Sequence, residues 1–149
     1  MNDTKMKVLW GIVLLAFVAI FLFSQFMGGC SSTVETAAGG TVPMKCHWTF
    51  IAVKIVSLVG VLFAALGAIS YDSGGRRVCL VGVDIINLAI LTIMTGIFGI
   101  GTCSHDGSLC STTKLCVLLC MTVAIIAAIF LSNKIRKLDR DEDVPKKEL

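Results

Sequence analysis

Residues 48–70 read Trp48-Thr49-Phe50-Ile51-Ala52-Val53-Lys54-Ile55-Val56-Ser57-Leu58-Val59-Gly60-Val61-Leu62-Phe63-Ala64-Ala65-Leu66-Gly67-Ala68-Ile69-Ser70, and one charge, Lys54, interrupts an otherwise apolar run. The hydrocarbon core of a bilayer is about 30 Å thick and needs roughly 20 apolar residues at 1.5 Å rise each. This run is long enough to cross as a helix. It is far too long for a strand, and its apolar residues do not alternate with period two.

Three more runs of the same kind flank it, at 8–27, 78–101 and 115–132; Asp84 and Asn87 interrupt the third. Together they predict an all-α integral membrane four-helix bundle. The composition agrees, with 56% hydrophobic and only 15% charged residues, where soluble domains carry about 25% charged. A chain of 149 residues has room for one small bundle and no separate soluble domain. It divides into a membrane domain, 1–138, and a charged tail, 139–149, that reads as disordered or surface-associated.

The net charge of +3 is no nucleic-acid signal, because the basic residues flank the spans. Ten of the 13 Lys and Arg fall in the N-terminus, the 71–77 turn and the tail, and two, Lys45 and Lys114, lie in or beside the other two loops. Lys54 is inside a span. The positive-inside rule then places both termini in the cytoplasm of a plasma membrane protein and the first and third loops outside. Trp10 and Trp48 read as interfacial anchors, and 71–77 as a flexible polar link. Met27-Gly28-Gly29-Cys30 has the outline of a lipoprotein cleavage site that would lipidate Cys30, but the run before it is long for a signal sequence. The terminal Lys146-Lys147-Glu148-Leu149 has the form of a dilysine retrieval signal and reads as a solvated charge run.

Small residues recur every four positions in the spans: Gly60, Ala64 and Ala68; Cys116, Cys120, Ala124 and Ala128; Thr92 with Gly96, and Thr95 with Gly99. Such stripes let helices approach closely in lipid. Within them Cys116 and Cys120 read as small packing residues, and Cys79 as a reduced structural thiol. The intramembrane polar residues are Lys54, Asp84 and Asn87. Charges inside spans cost about 2.5–3.5 kcal/mol on insertion scales and mark functional candidates. Lys54 can snorkel outward. It lies at a different depth from Asp84, which argues against a direct pair. Asn87, three residues on, is expected to share a face with Asp84; it, Arg76 or a neighbouring span can satisfy the carboxyl, the alternative being a relay or a contact to a partner's helix.

The outer loops hold both histidines and four of the seven cysteines. Three chemistries fit this set. Foremost are disulfides among Cys30, Cys46, Cys103 and Cys110, whose simplest pairing is one bridge per loop, Cys30–Cys46 and Cys103–Cys110. A copper or zinc site from Cys46, His47, Cys103, His105 and Cys110 comes next, although adjacent residues chelate poorly. Thiol–disulfide exchange comes third; four-helix membrane oxidoreductases also carry cysteine pairs in two outer loops, but no Cys-x-x-Cys occurs here. No phosphate-binding loop, HExxH or Ser-His-Asp set is legible, so no catalytic residue and no resident cofactor is assigned.

The segments Pro43-Met44-Lys45-Cys46-His47-Trp48-Thr49 and Ile100-Gly101-Thr102-Cys103, with Cys30 and Cys110, resemble a group of small bacterial and archaeal four-helix membrane proteins classed as a domain of unknown function. That group has a Met-Lys-Cys motif opening the second helix and a Gly-x-Cys leaving the third. The resemblance spans roughly residues 28–132. It implies a prokaryotic plasma membrane protein and the company of export-type ABC transporters, and it transfers no activity. The expectation is a structural or accessory subunit with disulfide-fixed outer loops, in contact with the lipid bilayer and with a membrane-protein partner or a second copy of itself.

Overall fold

A computed structural model describes residues 3–27, 33–35, 39–43, 45–96 and 109–143. The element order is α1 (Asp3–Phe26), β1 (Thr33–Glu35), β2 (Thr41–Pro43), α2 (Lys45–Ile69), α3 (Ser73–Thr95) and α4 (Leu109–Asp143). Within them Thr4–Phe26, Lys45–Ile69, Ser73–Thr95 and Cys110–Lys137 are long and apolar enough to cross a membrane. The shortest, 23 residues, reaches about 35 Å at 1.5 Å per residue. The chain is a small polytopic membrane protein; among the described residues it is all-α but for one antiparallel ribbon between α1 and α2 in which Val34 pairs with Val42.

The helices start earlier than the apolar runs. The link between α2 and α3 shrinks to residues 70–72, and the expected flexible turn at 71–77 is mostly the first turn of α3. Asp72 is the cause. It sits in extended conformation, and its Oδ2 accepts the N–H of Gly75 at 3.1 Å. An N-cap of this kind offsets the poor helix propensity of Gly74 and Gly75. At the other end α3 stops at Gly96, whose φ of 78° is left-handed and whose N–H donates to the Ile93 carbonyl at 3.4 Å. Gly96 therefore caps the helix rather than continuing a packing stripe with Thr92, and Gly99 lies outside the described residues. The helical backbone of α4 continues to Asp143, into the charged tail.

The four helices form an up-and-down square. Extensive contacts run α1–α2, α2–α3, α3–α4 and α4–α1, leaving α1 diagonal to α3 and α2 diagonal to α4; the α3–α4 seam is the least extensive. One end of the bundle carries Lys5, Lys7, Arg76, Arg77, Lys134, Arg136 and Lys137, and the other the first turns of α2 and α4 with Cys46 and Cys110. These are the basic end and the cysteine end. The core is filled by Trp10, Val13, Phe17, Ile20, Val53, Val83, Ile90, Met94, Val117, Met121 and Leu131. Leucines and isoleucines such as Leu15, Leu58, Leu62, Ile85 and Leu88 cover the outside, as lipid contact requires.

The buried faces repeat. A shift of 70 carries Met6 to Arg76, Trp10 to Leu80, Val13 to Val83, Ala16 to Ile86, Phe17 to Asn87, Ile20 to Ile90 and Ser24 to Met94, all buried. A shift of 64 carries Cys46 to Cys110, Thr49 to Thr113, Val53 to Val117, Ser57 to Met121, Gly60 to Ala124, Ala64 to Ala128 and Gly67 to Leu131, again all buried. Because α1 runs parallel to α3 and α2 to α4, the two hairpins are related by an approximate two-fold axis along the bundle, the parallel form of internal repeat known in membrane proteins.

Candidate functional site

The two hairpins differ where they close. In the first, α1 lays aromatic rings on glycines of α2. A Cβ on Gly60 would stand 2.6 Å from Phe17 Cδ1, and one on Gly67 would run into the Trp10 indole. Trp10 is therefore a core residue, 1% exposed, and not the expected interfacial anchor. Trp48, at the cysteine end, is 54% exposed and suits that role; its ring meets His47 edge-on with centroids 5.9 Å apart.

In the second hairpin the repeat puts Leu80 in place of Trp10 and Asn87 in place of Phe17, opposite Leu131 and Ala124. Both rings are missing, and Leu80, Asn87, Ala124 and Leu131 are buried without them. Two adjoining hollows of about 350 and 260 Å³ lie along the α3–α4 seam towards the basic end. They share Asp84, Ser132 and Arg136; Arg77 and Leu80 line one, Ala128 and Asn133 the other.

Asp84 is exposed on this flank, at the position related to Leu14. It makes no hydrogen bond or ion pair with a described residue. Arg76, expected as a candidate partner, is committed elsewhere: its Nε donates to the Ser70 carbonyl at 2.7 Å, and its Nη1 to Met6 Sδ at 3.0 Å. It ties the starts of α1 and α3 to the end of α2. Asn87 does not share the face of Asp84. It is buried, 4% exposed, and neither Nδ2 nor Oδ1 finds a hydrogen-bond partner among the described residues. An amide without a partner in the interior is costly. In the first hairpin the same position holds an aromatic ring.

Lys54 is half-buried on α2. Gly82 of α3 meets Phe63 of α2, so two residues further along α3 Asp84 is level with Val61 of the antiparallel neighbour. Lys54 lies seven residues nearer the cysteine end, about 10 Å away. The expected absence of a direct Lys54–Asp84 pair follows from that depth.

At the cysteine end, Cys46 and Thr49 on α2 and Cys110 and Thr113 on α4 are fully buried. Thr49 Oγ1 donates to the Lys45 carbonyl at 3.1 Å. The two cysteines are thus helix residues, not loop residues, at related positions. No disulfide joins any two of the described cysteines, Cys46, Cys79, Cys110, Cys116 and Cys120. Cys30, Cys103 and His105 lie outside the described residues. His47 is exposed while Cys46 beside it is buried, because successive helix positions are rotated by about 100°. Among the described residues no three His, Cys, Asp or Glu side chains come together as a metal site would require.

The chain matches the sequence profile of a family described as a domain of unknown function, DUF4418, over residues 6–133. It belongs to the DUF4418 family. The match takes in all four spans, in keeping with the resemblance carried by the Met44-Lys45-Cys46 motif. No curated protein and no solved structure matches the chain.

The residue reading missed two features of this DUF4418 protein. One is the internal repeat, for which Cys46-x-x-Thr49 and Cys110-x-x-Thr113 were the visible signal. The other is the pair of hollows between α3 and α4 towards the basic end.

Proposed function

We propose that this protein is a structural or accessory subunit of a plasma membrane complex, seated with its basic end in the cytoplasm and its cysteine end outside. The positive-inside distribution supports that orientation. The observation that carries the reading is the placement of Asp84, a carboxylate on the outer flank of a membrane helix with no hydrogen bond or ion pair to a described residue. Intramembrane charges ordinarily face a bundle interior or a partner. Asp84 faces outward, so the partner is external. A filled core also suits a subunit that acts by contact rather than by conduction.

The outer loops are fixed, in this reading, by Cys30–Cys46 and Cys103–Cys110. The repeat supports one bridge per hairpin, since each second helix opens with a buried cysteine at a related position. Thiol exchange would need an accessible thiolate, and the full burial of Cys46 and Cys110 weighs against it.

Purification from the native host in mild detergent tests the subunit reading. A membrane protein should co-purify in fixed proportion; a monodisperse, partner-free chain would remove it. Mass spectrometry of the unreduced protein should recover the two within-loop bridges, and four reduced outer cysteines would overturn the fixed-loop part.

A further inference from the structure

The α4 helix is longer than the repeat requires. The end of α2, Ile69, is related to position 133, and α4 runs on from there to Asp143. Arg136 belongs to this continuation and has no helical counterpart in the first hairpin. It lines the larger α3–α4 hollow together with Arg77 of α3. Two guanidinium groups from two helices thus face one space of about 350 Å³. Neither is spent on Asp84, which makes no ion pair with a described residue. The ionisable groups of the lining, Arg77, Arg136 and Asp84, sum to one positive charge. Two like charges facing one space repel, and an anion between them removes the repulsion.

We propose that this hollow holds the phosphodiester of an anionic phospholipid from the leaflet at the basic end. Depth supports a lipid. The α3 helix reaches about 35 Å against a hydrocarbon core of about 30 Å, so Arg77, four residues past Ser73, lies near the headgroup boundary. Phosphate sits at that level, and guanidinium groups take it with paired N–H donors. Basic pockets between membrane helices hold anionic headgroups in this way. The flank beneath suits acyl chains: Val81, Ile85 and Leu88 on α3 and Ile129 on α4 are exposed. A free phosphate ion has no use for that flank. Charge then selects the lipid. The single negative charge of phosphatidylglycerol matches the net charge of the lining, whereas a zwitterionic phospholipid adds an ammonium group beside two arginines. Asp84 lies about 10 Å deeper than Arg77, beneath the phosphate rather than beside it. The site needs no protein partner, so it stands apart from the subunit reading.

The test uses the full chain in nanodiscs of mixed phosphatidylglycerol and phosphatidylethanolamine. Native mass spectrometry after release counts the lipids that stay bound. The wild type should keep one phosphatidylglycerol in preference to phosphatidylethanolamine. Arg77→Gln and Arg136→Gln should each weaken that retention about fivefold, the scale of one arginine at an anionic membrane. Both positions are exposed, so both variants should fold, with circular dichroism as the check. Arg136→Lys should recover only part, because an ammonium lacks the paired donors. Lys7→Gln and Lys137→Gln take the same charge from the same end, outside the lining of either hollow, and should change retention little. Asp84→Asn removes a negative charge from the lining and should not weaken it. Equal retention of the two lipids by the wild type overturns the proposal. So does a loss from Lys137→Gln as large as that from Arg136→Gln, which would leave only the diffuse charge of the basic end. Displacement of the lipid by inorganic phosphate, but not by chloride at the same ionic strength, would reassign the hollow to a free anion and overturn it too. In the native host, a chain that takes up phosphatidylglycerol only after a bound protein is stripped away overturns it in favour of a protein on this flank. A partner-free chain that keeps the lipid leaves the proposal standing and removes the subunit reading.

Discussion

Phe17 rests against Gly60 so closely that a Cβ on Gly60 would stand 2.6 Å from the ring's Cδ1. Gly82 meets Phe63 at the same distance, and Gly67 lies against Trp10. A methyl group at Gly60 or Gly67 has to push a fully buried aromatic ring out of a filled core, at about 1–3 kcal/mol. That exceeds the gain of up to about 1 kcal/mol from alanine's better helix propensity. Gly60→Ala and Gly67→Ala are therefore expected to lower the unfolding midpoint in detergent. Gly11→Ala, with nothing within 4 Å, should be neutral or slightly stabilising. Equal effects at Gly11 and Gly60 would contradict the ring-on-glycine packing.

The four spans were legible because each is a long run dominated by apolar residues, and bilayer thickness turns run length directly into a helix. The stripe Gly60, Ala64 and Ala68 was legible for a similar reason: a spacing of four is one helix face. What faces that stripe was not. Trp10 has the composition of an interfacial anchor, and only the tertiary pairing with Gly67 makes it core. Asn87 and Asp84, three residues apart, look like one polar face. The bundle instead turns one inward and leaves the other on the flank, because burial depends on where α4 lies as well as on helix period. The α3–α4 hollows were hidden for the same reason, since their lining comes from two helices far apart in sequence, 77–84 on α3 and 128–136 on α4.

Gly96 holds the left-handed end of α3 at φ 78°. An L-residue there costs roughly 1–2 kcal/mol. Gly96→Ala should destabilise by about that amount, and Gly96→Asn by less, because asparagine tolerates the conformation. Thermal unfolding of the two variants side by side checks the order.

Arg76 donates to the Ser70 carbonyl and to Met6 from a buried position. A hydrogen bond from a charged group contributes about 1.5–3 kcal/mol. Arg76→Leu should destabilise on that scale, and Arg76→Lys should recover little, since a point charge cannot reproduce the two-nitrogen reach of the guanidinium. Arg77→Leu, at an exposed position, should change stability much less. Chemical unfolding of the three variants in detergent separates a buried tie from a general loss of basic charge.

Cys116 and Cys120 sit half-buried one turn apart on α4, and Cys120 packs against the core cluster. The helix continues below them with Ala124 and Ala128, both buried. Replacing both cysteines by alanine removes two small sulfur atoms from a face already built of alanines. The expected loss is about 1 kcal/mol or less, with the same co-purifying partner as the wild type. A variant that folds and loses that partner would show that the thiols do more than pack.

The pairing of the outer cysteines can be read from energies as well as masses. A bridge closing about 15 residues contributes roughly 3 kcal/mol in the chain-entropy model. If Cys30 and Cys46 form one bridge, Cys30→Ala and Cys46→Ala each lose it, and the double variant loses little more than either single one. The repeat places Cys110 at the position related to Cys46, so Cys103→Ala and Cys110→Ala should form a second such set. Combining Cys46→Ala with Cys110→Ala should then cost nearly the sum, because the two sit on diagonal helices in separate bridges. The Cys46/Cys110 combination costing no more than one single variant would instead join the hairpins through these two cysteines. Oxidised and reduced samples of each variant, unfolded in detergent, give the full set of differences.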